Sequence, residues 1–420
     1  MGITNLIYRF IVYPFIFLFN GVDVYGKLRR IRKFEKNNFE DIDKIQEQKL
    51  AGLFADKYGG SSLPQSVQLD KLPITTKNDL RLRGCGNSSE NLGKHIVRMT
   101  AGTTGVPLTV LVNRDAWAWQ LATRYFLFGW HGVKIGDREA RFWGRPLNGY
   151  RNKFKNLLLN RKVFTFCAEN NEQLLNEYSQ LLSYRPDYIY GYSSLILQAA
   201  ILCNTYKLEK PKIKAIFCTA ELINSNQKSF IESVFNCKVF TEYGCTESDI
   251  LAFECEYGNL HVIAYNIILE VDDNLGVIYT DLNNNIAHII RYNIGDSALI
   301  DDKIICDCGR KLPVITALNG RNIDQVFSLD DGSTIHAVSF AYLLEDLVGN
   351  GYQILQFKIV YENKKLIFFI NLCGDADDFN LELCHGLDEI LKGRVSYSVV
   401  YGAIQNVKNT KYSYFECKDV

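Results

Sequence analysis

Between residues 40 and 300, helix-like stretches alternate with short apolar runs, and this alternation constrains the fold more than any other feature. In its central part, helices are predicted over residues 171–182, 195–205 and 225–234. Buried strands are predicted over residues 188–190, 213–218 and 238–242, with a turn at 191–194. Strands that alternate with helices form sheets covered by helices, so the sequence predicts an α/β fold.

Two regions outside this alternation have a different pattern. Residues 260–305 predict successive β segments with turns at 272–276 and 283–285, and hence an antiparallel β subdomain. Beyond residue 320, strands are predicted over 356–360 and 365–370, and helices near 338–347 and 380–391. We therefore expect an apolar and basic N-terminal segment, a large domain and a small α+β domain, over residues 1–40, 41–319 and 320–420.

The composition indicates which partners the protein binds and in which cellular compartment it folds. The 420 residues include 47 basic and 47 acidic side chains, so the chain has no net charge and no global field that would favour a nucleic acid. The 12 cysteines are scattered, and no cleavable secretory signal is evident. This cysteine usage predicts a reducing, cytoplasmic setting in which the thiols are free or metal-bound.

The N-terminus combines an unbroken apolar run over residues 10–19 with a basic flank. The flank consists of Lys27, Arg29, Arg30, Arg32 and Lys33. The run is bounded by Arg9 and Asn20, whereas a spanning helix needs about 20 apolar residues, and Pro14 is expected to disturb a helix inside it. We expect residues 6–33 either to lie on an anionic membrane surface or to pack against the large domain.

The most informative motif is the small-residue loop over residues 99–107, which lies between two apolar runs. Gly102 and Gly105 allow close backbone approach, and three hydroxyl side chains stand beside them. These hydroxyls belong to Thr100, Thr103 and Thr104. The loop suits a phosphate chain, but Val106 and Pro107 replace the Lys-Ser/Thr and helix of a P-loop. Taken alone, a polar hairpin explains it equally well.

Later motifs follow this loop in a recognisable order. They are residues 219–221, residues 242–247, residues 291–296, the Gly320-Arg321 pair and Lys411. Together with the loop, this series resembles the motifs of the adenylate-forming (AMP-binding, ANL) enzymes, in particular the phenylacetate-CoA ligase and CapK-like branch. The resemblance extends from about residue 70 to the end of the chain.

The resemblance implies a large adenylate-forming domain followed by a small mobile lid domain. It implies a ligase that uses ATP and Mg²⁺ to convert a carboxylic acid into an acyl-adenylate with release of pyrophosphate. The acyl group would then pass to CoA or to an amine or sugar acceptor, as in capsular or O-antigen polysaccharide biosynthesis. Together with the N-terminal segment, this pathway implies a cytoplasmic protein at the inner face of the membrane.

The same resemblance implies where the nucleotide binds. Thr103 and Thr104 would hold the β- and γ-phosphates, Tyr243 would lie beside the adenine, and Asp296 would accept hydrogen bonds from the ribose hydroxyls. Backbone and small residues would complete the nucleotide site. They are Thr100, Gly102, Gly105, Ala220, Glu221 and Gly244.

The resemblance also assigns four catalytic residues. Thr246 would contact phosphate, Glu247 would bind Mg²⁺, Arg321 would lie near ribose or phosphate, and Lys411 would contact the forming phosphoester. Two positions depart from the family pattern, because Thr410 replaces the glycine before the lysine and Ile323 stands where an acidic hinge residue is usual. The departures leave open a degenerate nucleotide-binding protein with a regulatory or scaffolding role.

Four ligand-type residues gather around the β region. Cys306 and Cys308 form a Cys-x-Cys-Gly turn, and Cys255 and His261 stand at the start of the same region. Such residues can build a tetrahedral Cys₃His site, although unrelated buried thiols also fit the pattern. Similar positions hold a structural metal in the branch that the chain resembles, so we expect a structural zinc ion.

A pocket for the carboxylic acid is predicted from residues at or beside strand ends. Its wall would comprise Trp143, Tyr190, Gly191, Tyr192, Ser193 and Thr219. The chain has 24 tyrosines and 25 phenylalanines, so aromatic core packing remains the alternative for each ring. The pattern does not select an aryl acid over a small polar acid.

Overall fold

The computed structural model describes residues 2–58, 69–82, 95–99, 108–143, 150–166, 171–272 and 276–319. In the C-terminal part it describes residues 326–328, 334–336, 352–373, 376–402 and 415–417, with 340, 343–344, 347, 350 and 404. The helices are α1 (Ile3–Asn20), α2 (Val24–Lys36), α3 (Ile42–Tyr58), α4 (Lys77–Leu82), α5 (Arg114–Trp130), α6 (Tyr150–Leu158), α7 (Asn171–Tyr184), α8 (Ser193–Thr205), α9 (Ser225–Phe235) and α10 (Asp377–Leu391).

The strands of the large domain are β1 (Ile96–Met99), β2 (Thr109–Val112), β3 (Glu139–Phe142), β4 (Arg161–Phe164), β5 (Tyr188–Tyr192), β6 (Ile216–Thr219), β7 (Val239–Cys245), β8 (Asp249–Glu254), β9 (Leu260–Val262), β10 (Ile267–Val271), β11 (Gly276–Asp281), β12 (Tyr292–Asp301) and β13 (Val314–Asn319). Those that follow are β14 (Val326–Ser328), β15 (Thr334–His336), β16 (Gln353–Glu362), β17 (Lys365–Cys373), β18 (Ser396–Tyr401) and β19 (Phe415–Cys417).

An 11-stranded sheet organises the large domain, in the order β10-β11-β12-β13-β9-β8-β7-β6-β5-β3-β4. Its β7-β6-β5-β3-β4 half is parallel, and its other half is antiparallel. Strand β7 belongs to both halves, because it pairs with β6 in parallel and with β8 in antiparallel orientation. The predicted α/β fold with an antiparallel subdomain is therefore confirmed.

The N-terminal segment packs against the large domain rather than standing apart from it. Tyr13 and Phe17 of α1 and Leu28 and Ile31 of α2 are buried in the same core as the central sheet. Pro14 disturbs helix α1, as expected, but does not end it. The helix continues to Asn20, and the turn before Pro14, Tyr8–Val12, is π-helical rather than α-helical.

The C-terminal part has a sheet and a core of its own. Its strands run in the order β18-β17-β16-β19, and α10 contributes Phe379, Leu383 and Leu387 to a separate apolar cluster. This arrangement confirms the predicted α+β character. Most of the helix predicted near 338–347 lies outside the described residues, and the domain limits at 40 and 320 stay a prediction.

Candidate functional site

The candidate residues meet where the sheet changes from parallel to antiparallel. Because β3, β5, β6 and β7 are parallel, their carboxyl ends lie at one edge of the sheet. Trp143, Tyr192 and Thr219 stand at or next to the ends of β3, β5 and β6, and Tyr243 lies two residues before the end of β7. A change of strand direction of this kind leaves a crevice at the carboxyl edge, which is where α/β folds bind ligands.

Two predicted nucleotide-binding residues form a direct hydrogen bond. The Tyr243 hydroxyl on β7 donates to Asp296 Oδ2 on β12 at 2.8 Å. Tyr243 is buried and Asp296 is half-buried, so the pair stands at the margin of the core. The structure thus brings together the residues assigned to adenine and to ribose, although 53 positions separate them.

Strand β7 is longer than the sequence predicted, because it includes the Tyr-Gly-Cys segment that follows Glu242. The register shifts between Tyr243 and Gly244, where β7 meets β8. A Cβ atom on Gly244 would lie 2.1 Å from the carbonyl oxygen of Asp249, so only glycine fits here. The turn after β7 then presents residues 246–248.

Glu247 lies in this turn with its carboxylate buried. The side chain is 3% exposed, and Tyr292 donates its hydroxyl to Glu247 Oε1 at 3.3 Å. Within the described residues Glu247 forms no salt bridge. A buried carboxylate is costly without a compensating cation, so this chemistry fits a bound Mg²⁺ ion.

Thr246 is exposed in the same turn, and β1 lies beside it. Arg98 Nη1 donates to the Thr246 carbonyl at 3.3 Å, and Arg98 Nη2 donates to Gln120 Oε1 at 2.7 Å. Arg98 stands next to the end of β1, immediately before the small-residue loop. The arginine therefore connects the strand that leads into the loop with the turn that carries Thr246 and Glu247.

A buried network of charged and polar side chains lies next to the crevice. Glu242 accepts hydrogen bonds from Tyr190 at 2.8 Å and from Thr219 at 2.9 Å, and Arg124 lies 3.4 Å from its other oxygen. Arg124 also donates to Asp249 Oδ1 at 2.6 Å. Burial raises the pKa of Glu242, and Arg124 opposes that rise. Burial alone would lower the pKa of Arg124, but the carboxylates of Asp249 and Glu242 hold it above its usual value.

Glu242 begins the 242–247 motif but had no predicted role, and Arg124 was not among the predicted site residues. One signal was available, because Arg124 is the only charged residue in the apolar stretch from 116 to 130 of α5. A lone arginine in a buried helix requires a carboxylate partner elsewhere in the fold. The identity of that partner depends on strand order.

The segment 219–221 begins with the last residue of β6 and forms hydrogen bonds with the start of α8. Ala220 adopts a left-handed conformation with φ of 67°, which is uncommon for alanine. Glu221 Oε2 accepts the backbone N–H of Ser194 at 2.9 Å, and Ser193 donates to the Glu221 carbonyl at 3.1 Å. The carboxylate and the backbone carbonyl of Glu221 therefore both bind the first turn of α8.

Three of the aromatic residues that were predicted to line the acid pocket lie close together. The Trp143 ring lies 4.3 Å from that of Tyr192 and 6.5 Å from that of Tyr190, between ring centroids. The Arg141 guanidinium stands 4.9 Å from the Tyr190 centroid. The predicted turn at 191–194 is wrong, because Gly191 lies within β5 and a Cβ there would be 2.1 Å from the Phe142 carbonyl oxygen.

The four predicted metal ligands form one cluster. Their ligand atoms all lie within 4.8 Å of one another, with Cys255 Sγ 3.7 Å from Cys306 Sγ and Cys308 Sγ 3.3 Å from His261 Nε2. His261 Nδ1 lies 3.2 Å from the Leu312 carbonyl, a contact that leaves Nε2 directed at the cluster. Burial lowers the pKa of His261, which favours the neutral imidazole that a metal requires.

Several predicted site residues lie outside the described part of the chain. They are Thr100, Gly102, Thr103, Thr104, Gly105, Arg321 and Lys411, together with Ile323 at the expected hinge. Their roles stay predictions.

Comparison with known proteins finds one similar sequence and several structures with the same architecture. The chain is 23% identical over 405 residues to protein CapK of Staphylococcus aureus. The aligned region covers 88% of this chain and 89% of CapK. No protein-family model matches this chain. Its structure matches that of 2-hydroxyisobutyryl-CoA ligase, in the postadenylation state with 2-HIB-AMP, with a TM-score of 0.64 at 19% identity. The match covers 94% of this chain and 89% of the ligase.

This chain has the same fold as that ligase. A second solved structure, the acyl acid amido synthetase AtGH3.15 in complex with 2,4-DB, matches with a TM-score of 0.60 at 11% identity, over 89% of each chain. The shared fold thus extends over both the sheet of the large domain and the C-terminal α+β part. The resemblance stated from the motif order is confirmed at the level of the fold.

Proposed function

We propose that the protein is an ATP-dependent carboxylate ligase, which converts a carboxylic acid into an acyl-adenylate and releases pyrophosphate. The observation that carries this proposal is the hydrogen bond between Tyr243 and Asp296 at the sheet junction, with the buried Glu247 in the adjoining turn. A carboxylate held by a tyrosine hydroxyl suits the recognition of two ribose hydroxyls. The acid would lie beside Trp143 and Tyr192.

In this reaction a substrate carboxylate attacks the α-phosphate of ATP, so two anions must approach each other. Catalysis then depends on positioning and on neutralising negative charge. Glu247 would hold Mg²⁺ jointly with phosphate oxygens, and Thr246 would contact phosphate. Thr103, Thr104 and the amides around Gly102 would hold the pyrophosphate, which requires no lysine in the loop.

Two assignments rest on the motif order in the sequence. Arg321 would lie near ribose or phosphate, and Lys411 would approach the forming phosphoester from the C-terminal domain. A positive charge on a mobile domain would complete the neutralisation only after the substrates have bound. The lid domain would therefore control when adenylation begins.

The acceptor is CoA, an amine or a sugar in this proposal. The relatives support this range, because one is named as a CoA ligase and another as an acyl acid amido synthetase. The likeness to CapK favours a surface-polysaccharide pathway. The last step would place the acyl group on the acceptor and release AMP.

We further propose that Cys255, His261, Cys306 and Cys308 hold a structural Zn²⁺ ion. Three sulfurs and one imidazole nitrogen fit its preference, and Asn259 donates to Cys306 Sγ at 3.1 Å, as an outer-shell partner of a thiolate would. Four protein ligands leave no open position, so the ion would connect β8 and β9 with the 306–308 turn. Elemental analysis should find one zinc per chain, lost in Cys308→Ser and retained in Cys373→Ser.

The decisive experiment is incubation of the full chain with ATP, Mg²⁺ and a library of carboxylic acids, followed by mass spectrometry of acyl-AMP. We expect acid-dependent acyl-AMP and pyrophosphate, and a second product when CoA or an amine is added. Lys411→Ala should lower adenylate formation about a hundredfold, a typical loss for a group that stabilises developing charge. Its matched control, Lys408→Ala, should retain activity.

A second candidate is a degenerate nucleotide-binding protein, which Ile323 and Thr410 favour because they replace the usual hinge acid and glycine. Binding of ATP without acyl-AMP over the whole library would support that candidate and contradict the ligase. Adenylate formation by Lys411→Ala within a few-fold of wild type would remove the lysine assignment alone.

A further inference from the structure

The outer face of α1 carries a row of large apolar side chains that the domain does not cover. Each is between 46% and 80% exposed. They are Ile3, Ile7, Phe10, Ile11, Phe15, Leu18 and Phe19. A soluble monomer rarely exposes so many large apolar side chains on a single element, so this face requires a partner.

Helix α6 extends this face. Tyr150, Phe154 and Leu157 follow one another at helical spacing and are 92%, 60% and 64% exposed. The helices are adjacent, because the Tyr8 hydroxyl donates to the Leu157 carbonyl at 2.7 Å. We call the exposed residues of α1 and α6 the apolar platform.

The opposite face of α1 is held on the large domain. Arg9 Nη2 lies 2.9 Å from Asp137 Oδ1, a fully buried carboxylate, and Asn5 donates to Asp187 Oδ2 at 2.6 Å. Tyr13 and Phe17 are buried in the core. The helix is long and apolar enough to cross a membrane by length and composition. If α1 crossed a membrane, it would lose these contacts, and the buried Asp137 would lose its ion pair with Arg9. The docked helix therefore fits a position parallel to a membrane surface.

Positive charge stands beside the apolar platform. Residues 1–36 contain seven basic and two acidic side chains, and α6 contains three basic and no acidic ones, although the whole chain has no net charge. On α6, the exposed Arg151, Lys153 and Lys155 lie in the same helix as the three platform residues. Helix α2 packs on α1 through Tyr25 and Phe17, whose rings are 5.5 Å apart, and its Arg29 and Arg32 are exposed. This charge is complementary to an anionic surface and would repel the same face of a second copy.

We propose that the apolar platform is a membrane-docking surface, which inserts α1 and α6 flat into the interface of an anionic lipid leaflet. Phe15, Leu18 and Phe19 would enter the boundary between headgroups and acyl chains, and Arg29 and Arg32 would contact anionic headgroups. The protein would thereby carry out its chemistry at the membrane surface without crossing the bilayer. This inference is independent of the proposed ligase activity.

The test is flotation of the full chain with phosphatidylcholine vesicles, prepared with and without phosphatidylglycerol. Wild type should float with the anionic vesicles, and added salt should weaken its binding. Phe15→Ser combined with Phe19→Ser should lower the partition coefficient more than about tenfold, since each ring loses most of its apolar burial. Arg29→Gln and Arg32→Gln should each lower it about fivefold.

Leu381→Ser is the matched control, because Leu381 is 76% exposed on α10, outside the platform. It should bind vesicles as wild type does, and thermal unfolding should show that every variant is folded. Equal binding by wild type and the double phenylalanine variant would overturn the proposal. So would a dimer in sedimentation that this variant dissociates, with no flotation of wild type, because a second copy would then cover the platform.

Discussion

The Tyr243 hydroxyl lies 2.8 Å from Asp296 Oδ2, although their strands β7 and β12 are separated by three others in the sheet. In a flat sheet, four strand spacings amount to about 19 Å. The antiparallel half must therefore curl until β7 faces β12. The contacts of Glu247 with Tyr292 and of Cys245 with Tyr279, each 3.3 Å, cross the same curved space.

Tyr243→Phe should weaken nucleotide binding, because it removes a hydrogen bond that orients the Asp296 carboxylate. Bonds to charged groups contribute about 1.5 kcal/mol or more, so the KM for ATP in pyrophosphate exchange should rise about tenfold. Tyr257→Phe, at an exposed tyrosine between β8 and β9, should leave the KM unchanged. An unaltered KM in Tyr243→Phe would show that the pair does not bind nucleotide.

Glu242→Gln should destabilise the fold, because Arg124 would keep only one of its two carboxylate partners. Breaking a buried ion pair costs about 3 kcal/mol or more, which urea unfolding at pH 8 would measure. The matched control is Glu40→Gln, whose salt bridge with Lys311 is exposed on both sides. We expect no measurable change in the control. Equal stability of wild type and Glu242→Gln would contradict a structural role of the pair.

Asn226→Ala should loosen the C-terminal domain. Asn226 Nδ2 donates to the Tyr352 carbonyl at 2.9 Å, and the neighbouring Gln227 donates to the Leu355 carbonyl, so the start of α9 holds the start of β16. Loss of one bond costs about 1 kcal/mol, which should appear as faster hydrogen exchange over residues 352–362. Ser233→Ala, whose hydroxyl bonds only within α9 to the Phe230 carbonyl, should exchange as wild type does.

His131 should make the protein less stable in mild acid. Burial lowers its pKa to about 4 from an ordinary value of 6.5, and its Nε2 lies 2.9 Å from the Glu254 carbonyl. Between these values the unfolded chain binds a proton that the folded chain does not. The free energy of unfolding therefore falls as pH drops from 6.5 to 4, by on the order of 3 kcal/mol.

Urea unfolding across this pH range would give the free energy of unfolding of wild type and of His131→Gln. The glutamine amide in this variant can still donate to the Glu254 carbonyl. The variant should lose less stability on acidification than wild type. His385→Gln, at an exposed histidine of α10, should follow the wild-type curve. Parallel curves for wild type and His131→Gln would contradict the prediction.

Local features of the sequence were sufficient for much of the fold. The helix predicted over 171–182 corresponds to Asn171–Tyr184, and that over 225–234 corresponds to Ser225–Phe235. Periodicity and capping residues act within one element, so these predictions needed no partner. One prediction failed because a tertiary contact overrode a local turn signal: Gly191 lies within strand β5 and packs against Phe142.

The sequence by itself determined the order of the motifs, the α/β alternation and the set of four metal-type ligands. Only the tertiary structure decided that Tyr243 contacts Asp296, that Glu242 pairs with Arg124, and that α1 docks on one face and exposes the other. The physical reason is that these contacts join residues far apart in the chain. Strand order and sheet curvature bring them together, and neither is encoded in the residues nearby.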